Sequence, residues 1–344
     1  MLKQVLPVLC LILPAASAWA QTETPPPAAA AEATAAIEAE AEAVPEKILV
    51  VGQKPGPGLW KVSKDGHVLW VFGTYSPLPQ KMEWRSQQVE SILSQSQEYL
   101  TPPGASASVG WLRGLTLLPS LIGVKKNPDG ATLKDVLPAD VYARWLPLKA
   151  KYLGDNDSIE RERPIFVAET LFRAGMQQAG LSKGYEVNRK LDGIVKQHKI
   201  KVIKTGIQLP TDDASSMMKD FKKSQLADAA CFSKTLDRLE SDLDAMRVRA
   251  NAWAKGDLEA IQKLSFPDQE TECGDAMLNA EFTKSRPAFQ NVKERMQAAW
   301  VSAAEKALAN NNSTFATLRL ADILKPDGYL AALKAKGYTV ESPD

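Results

Sequence analysis

The sequence has few of the residues that build most catalytic centres. Its 344 residues include two histidines, His67 and His198, and three cysteines. Neither histidine stands in a motif for metal or nucleophile chemistry, so His67 is more typical of the surface and His198 of an exposed helix end. Residues 52–58 are rich in glycine but contain two prolines, and no helical pattern follows them, which argues against a phosphate-binding loop.

A strong charge of one sign is also missing. The formal charge is +1 overall, and removing Lys3 and the six glutamates that precede residue 47 leaves +6 for the remainder. This positive charge is spread along the chain and does not indicate a nucleic-acid-binding protein.

The strongly apolar stretch at 111–124 is short and interrupted by Gly114 and Pro119. It predicts a buried or cleft-lining pair of helices rather than a membrane span.

The N-terminus has the pattern of an export signal. Lys3 precedes an apolar run from Val5 to Ala18, and Ala18-Trp19-Ala20 fits a small-x-small cleavage site. Residues 1–20 are therefore predicted to be a signal peptide cleaved after Ala20, with a retained anchor as the alternative. We expect a periplasmic or secreted protein without a transmembrane segment in the mature chain.

The rest of the chain divides into a linker and one large domain. Residues 21–46 are rich in proline, alanine and glutamate and can bury little apolar surface, which predicts a disordered spacer, or else an interaction tail. Residues 47–344 are long enough for one domain built from two similar halves. Two cysteines, Cys231 and Cys273, remain in this part. An even pair in an exported protein predicts a disulfide, and two buried free thiols are the alternative.

The domain alternates between strand-like and helix-like patterns, which predicts an α/β (α+β) fold with a mixed sheet wrapped by helices. Gly73 and two prolines end the buried strand Val68–Phe72, and the side chains placed at that end are Thr74, Tyr75 and Ser76. Strand ends of this kind commonly carry the functional site of an α/β protein. The other predicted strands are 48–51, 59–62, 98–100, 201–204, 314–320 and 338–340, and the main predicted helices begin at 84, 164, 224 and 289 and end at 97, 175, 255 and 303.

Three motifs in order resemble the TraB/PrgY/GumN family, which includes the Tiki metalloproteases. The first is Pro57-Gly-Leu-Trp60 followed by Leu69-Trp-Val-Phe-Gly73-Thr74. The second is Trp253-Ala-Lys-Gly256-Asp257-Leu258, and the third is Thr314-Phe-Ala316 with Pro326-Asp-Gly328 and Lys336-Gly-Tyr-Thr-Val340. The resemblance spans about residues 57 to 342.

The resemblance implies a metal site that this sequence has altered. The family carries two G-x-x-H turns and acidic partners, suited to a metal that activates water. Here the first turn reads Gly73-Thr74-Tyr75-Ser76, and the second reads Arg319-Leu-Ala-Asp322. The acidic residue that family members carry after the first helix would fall near Thr101. It is missing at that position here, and Glu98 is close by.

Serine is a poor ligand for zinc or manganese, and an unpaired Arg319 would repel a cation. We therefore expect no cofactor and a non-catalytic protein whose cleft binds a partner, peptide or glycan in the cell envelope. Ser76 and Asp322 are expected to lie close together, with Arg319 at the rim and Asp322 able to pair with Ser76 or Thr74. The alternative is a divergent metal-dependent hydrolase that uses Mn or Zn held by Glu83, Glu98 or Asp322.

Overall fold

The computed structural model describes residues 56–108, 117–224, 226–263 and 269–343. Its centre is a mixed six-stranded sheet in the order β10-β1-β2-β9-β4-β7, as the α/β prediction requires. The predicted signal peptide, linker and strand 48–51 lie outside the described residues. The strands are β1 Leu59–Lys64, β2 His67–Thr74, β3 Leu78–Pro79, β4 Glu98–Leu100, β5 Ala105–Ser106, β6 Leu181–Ser182, β7 Lys201–Ile203, β8 Ile207–Gln208, β9 Ser313–Arg319 and β10 Thr339–Glu341.

Helices surround this sheet and account for most of the domain. A further helical stretch at 117–121 borders residues that the structure does not describe. Among the residues described, no helix combines the length and the apolar character that crossing a membrane requires. The helices are α1 Gln87–Ser94, α2 Leu133–Val136, α3 Ala139–Tyr152, α4 Pro164–Gln178, α5 Tyr185–Gln197, α6 Ala214–Lys223, α7 Ala229–Ser241, α8 Leu243–Lys255, α9 Leu258–Lys263, α10 Gln269–Leu278, α11 Glu281–Lys284, α12 Val292–Asn310, α13 Leu320–Leu324 and α14 Tyr329–Ala335.

Local signals explain several of the element ends. Asp65 and Gly66 both have positive φ and close the antiparallel hairpin of β1 and β2. Thr132 forms a capping box at the start of α2, and Pro164 is the first residue of α4. Gly256, at φ 76°, ends α8 in the left-handed conformation that favours glycine.

The prediction of one helix over 224–255 is wrong. Residues 226–228 are not helical, and Asp242 separates α7 from α8. Aspartate favours helix ends over helix interiors, and the Asp242 side chain binds Arg249 two turns later. Leu239, Leu243 and Met246 keep helical spacing across this break, so the apolar pattern alone could not reveal it.

Two smaller predictions also need correction. Leu118, Leu121 and Ile122 are 55%, 45% and 76% exposed and do not line the cleft described below, so this part of 111–124 is neither buried nor cleft-lining. Residues 109–116 lie outside the described part of the chain. At the C-terminus, α13 stands between β9 and the predicted turn, because the chain begins a helix directly at Leu320.

The core has two main apolar parts. One covers the sheet and includes Phe72, Trp253 and Phe315. The other lies among α2, α3, α4 and α7, where Trp145 packs edge-on against Phe232. The disulfide Cys231–Cys273 joins α7 to α10 beside this second part, and it confirms the predicted pairing.

Candidate functional site

The segments 73–76 and 319–322 begin side by side at one edge of the sheet. Strands β2 and β9 are parallel neighbours, with Gly73 opposite Leu318 and Thr74 opposite Arg319. Parallel neighbours end at the same edge, so the loop after β2 meets the start of α13 after β9. Ser76 is exposed there, and the bond from Ser76 to Pro77 is cis.

A cleft of about 610 Å³ opens at this edge. That volume lies within the range of about 300–1,000 Å³ that small-molecule sites occupy. The loop after β2, the start of α5, one face of α7 and α8, and the segment after β9 form its walls. Its lining residues are Thr74, Tyr75, Ser76, Lys183, Gly184, Tyr185, Val187, Asn188, Arg238, Arg249, Arg319, Leu320, Ala321, Leu324, Lys325 and Pro326.

Gly73 is required by close packing rather than by a special backbone conformation. A Cβ at this position would lie 2.7 Å from Cζ3 of Trp60 and 3.2 Å from Cδ1 of Leu320. On the other side, the indole N–H of Trp253 donates a buried hydrogen bond of 2.7 Å to the Gly73 carbonyl. Residues of two motifs that are distant in sequence therefore hold the end of β2 in place beside the cleft.

Arg249 is the most deeply buried charge in the cleft wall. One of its terminal nitrogens donates to both carboxylate oxygens of Asp242 at 2.6 Å, and its Nε donates to the Tyr75 hydroxyl at 3.1 Å. Burial alone would lower the pKa of Arg249, but its bonds to Asp242 and Tyr75 outweigh burial and raise the pKa. Burial also raises the pKa of Tyr75. Arg249 therefore stays cationic and Tyr75 stays protonated at neutral pH.

A second arginine–aspartate pair stands at the rim. Nε of Arg319 lies 2.7 Å from Oδ2 of Asp322, its second nitrogen lies 2.9 Å from Oδ1, and Lys325 is 3.7 Å from the same carboxylate. Arg319 is thus half exposed and paired, so the expectation that it is unpaired is wrong. The Thr74 hydroxyl donates to the Leu318 carbonyl rather than to Asp322. Burial, assisted by the Asp322 charge, raises the pKa of Tyr329 to about 12.

The structure does not place the remaining acidic candidates in this cleft. Glu98 begins β4 at the opposite end of the sheet, where it accepts hydrogen bonds from Lys201 and Asn311. Burial favours a higher pKa for Glu98, but these two partners outweigh it and lower the pKa. Glu83 is exposed and is not a lining residue. Thr101 accepts a hydrogen bond from the Thr205 backbone.

The two histidines are also remote from the site. His67 begins β2, at the end of the strand away from Ser76, and its ring lies 2.7 Å from the Asn311 carbonyl. His198 is exposed and ends α5, as its position among lysines predicts.

The residues around the cleft do not fit a catalytic divalent metal. Within the described part of the chain, no three histidine, cysteine or acidic side chains come together as a metal-binding group. Asp322 is already engaged by two cations, and the lining supplies arginine and lysine where a metal would need anionic or imidazole ligands.

A profile of the TraB/PrgY/gumN family matches residues 58–342. The chain belongs to the TraB/PrgY/gumN family. Comparison with curated proteins and with solved structures found no match.

In this TraB/PrgY/gumN protein, the sequence motifs located the edge of the sheet but missed much of the cleft wall. Tyr75 lay between two residues already singled out, and Lys183, Arg238 and Lys325 carried no local signal. Arg249 did carry one. It follows Asp242 by seven residues, so both fall on the same side of a helical pattern whose apolar stripe includes Met246 and Ala250.

Proposed function

We propose that this protein is an exported, non-catalytic member of its family whose cleft binds a ligand in the cell envelope. The observation that carries the proposal is the chemistry of the cleft, whose described lining is cationic and neutral rather than acidic. Ser76 stands at one motif position, and Asp322 at the other is held by Arg319 and Lys325. A wall of this kind favours binding a polar or anionic group over holding a metal that activates water.

Metal addition tests this part of the proposal. We expect Mn²⁺ or Zn²⁺ to leave the melting temperature of the wild type unchanged, and elemental analysis to find no stoichiometric metal. The double variant Ser76→His and Asp322→His is expected to gain metal-dependent stabilisation, because ligand binding to the folded state raises its stability. This gain requires that Ser76 and Asp322 lie close together, as the motif positions predict.

The single variant Ser76→His is the matched control and should gain less, because it adds one ligand. A wild-type protein that holds metal and melts at lower temperature after chelation would instead support the divergent hydrolase. A double variant that shows no shift would contradict the predicted closeness of the two positions.

Export is supported by the signal-like pattern of residues 1–20, and a disulfide is compatible with an oxidising compartment. We expect N-terminal sequencing of the mature protein, isolated from cells that make the full chain, to begin at Gln21. A matched variant with Ala18→Leu and Ala20→Leu should be cleaved poorly, since the processing site needs small residues. Mature protein that still begins at Met1 would refute the proposal of cleavage.

A further inference from the structure

The cleft wall carries a strong excess of positive charge. Five cationic side chains line it, and no aspartate or glutamate occurs among its described lining residues. Two carboxylates behind the wall, Asp242 and Asp322, each pair with two of these cations. These five cations and two carboxylates together carry a net charge of +3. The five cations are Lys183, Arg238, Arg249, Arg319 and Lys325.

Two of these cations are buried in the cleft wall and held there by Asp242. Arg249 and Arg238 are 2% and 8% exposed, so protein rather than water surrounds most of each guanidinium. Asp242 holds the Arg249 side chain in position. The hydrogen bonds that Arg249 donates to Asp242 and Tyr75 raise the pKa of Arg249, so the guanidinium stays charged. A concave wall with charges of one sign concentrates the field and raises the local concentration of oppositely charged ligands.

Neutral groups of two kinds stand among the cations. Ser76 and Asn188 are exposed and offer a hydroxyl and an amide, which can exchange hydrogen bonds with ligand hydroxyls. Tyr185 exposes 57% of its surface at the start of α5, and its ring can pack against a flat, partly apolar ligand face. Leu320 and Leu324 provide apolar contact on the other wall.

We infer that the cleft binds an anionic saccharide, in which carboxylate or phosphate groups meet the cations and sugar hydroxyls meet the neutral polar groups. This inference rests on the proposed binding function and gives it a ligand class. An arginine or lysine forms a charge-assisted hydrogen bond with either kind of oxyanion. A short saccharide fits better than an extended peptide added to a sheet, since loops, helix faces and the ends of β2 and β9 form the walls. Neither edge strand of the six-stranded sheet, β10 or β7, contributes a described lining residue.

Calorimetric titration of the full chain with matched probes tests the inference. The probes are a galacturonate trimer, the neutral galactose trimer, glucose 6-phosphate and a glutamate tripeptide. We expect the acidic trimer to bind about tenfold or more tightly than the neutral one, and the affinity to fall with added salt. Comparing the galacturonate trimer with glucose 6-phosphate shows whether the cleft binds carboxylate or phosphate groups.

Substitutions at the rim locate the binding site. Lys183 and Lys325 are exposed, so Lys183→Gln with Lys325→Gln should fold normally and weaken the acidic trimer about tenfold. Lys293→Gln with Lys336→Gln removes the same charge from exposed positions outside the cleft and should leave affinity nearly unchanged. Equal melting temperatures for the two double variants would show that folding does not explain the difference.

Each outcome bears on a separate claim. Equal binding of charged and neutral trimers, or equal loss in the two double variants, would overturn the inference. Tight binding of the glutamate tripeptide with no preference for the saccharides would overturn its sugar part. Absence of binding by every probe would overturn the ligand class but leave the proposed metal-free binding function standing. Metal-dependent cleavage of a probe would instead overturn the non-catalytic function.

Discussion

Replacing Asp242 with alanine is expected to lower the free energy of unfolding by about 3–5 kcal/mol, because it leaves a buried charge without its partner. The side chain of Arg249 is 2% exposed, and Asp242 receives two of its hydrogen bonds at 2.6 Å. Arg238 lies 3.9 Å from the same carboxylate and would lose this ion pair as well. Urea unfolding followed by circular dichroism measures the change, provided that the denaturant dependence stays constant.

Asp244→Ala is a closely matched control. It removes the same side chain two residues later, but Asp244 is 94% exposed and its partner Arg247 is 49% exposed. We expect the free energy of unfolding to fall by less than about 1 kcal/mol, as for most surface ion pairs. The loss of stability in Asp242→Asn should lie between those of Asp242→Ala and Asp244→Ala, because asparagine keeps a hydrogen-bond acceptor without the charge. Equal losses for Asp242→Ala and Asp244→Ala would contradict the assignment of Asp242 as the partner that stabilises the buried arginine.

Removing the Cys231–Cys273 disulfide is expected to destabilise the protein by about 4 kcal/mol in the loop-entropy treatment. The two residues are 42 apart in sequence, and their bond closes a loop that includes all of α8 and α9. The double variant Cys231→Ala with Cys273→Ala should therefore melt at lower temperature than the oxidised wild type.

Comparing the reduced wild type with the double variant separates two contributions to stability: the disulfide bond itself and the packing of the cysteine side chains. Reductant should lower the melting temperature of the wild type and leave that of the double variant unchanged. Cys231 is fully buried, so the variant should also lose a packing contribution that the reduced wild type keeps. Two titratable thiols in denatured protein that begins at Gln21 and was purified without reductant would rule out the disulfide.

The sequence predicted the sheet better than the helices around it. The predicted bounds of β1, β2, β4, β7 and β9 agree with the observed bounds to within one or two residues. Buried apolar runs that end at turn residues leave few alternative positions for a strand. Helix ends marked by Pro164 or Gly256 were found as well. The break at Asp242 was missed because the apolar stripe of Leu239, Leu243 and Met246 continues across it with helical spacing.

The candidate site was also predicted unevenly. Ser76 follows β2 and Arg319 is the last residue of β9, and both strands belong to motifs that could be recognised. The parallel pairing of β2 with β9 brings both residues into one cleft. Lys183, Arg238 and Arg249 reach that cleft from helices and a loop whose positions depend on tertiary packing. The positive charge of the cleft therefore became visible only in the folded chain.

The pairing of β2 with β9 also constrains when the cleft can appear during folding. Thr74 and Leu318, which are joined by a hydrogen bond, are 244 residues apart in sequence. Closing such a long loop costs entropy before its contacts repay the cost, so pairings of this kind tend to form late. A chain made from its N-terminus holds Ser76 early but lacks Arg319 and Lys325 until β9 and α13 have been synthesised. The cleft is thus assembled only after β9 has been made, and chains that stop before β9 cannot have it.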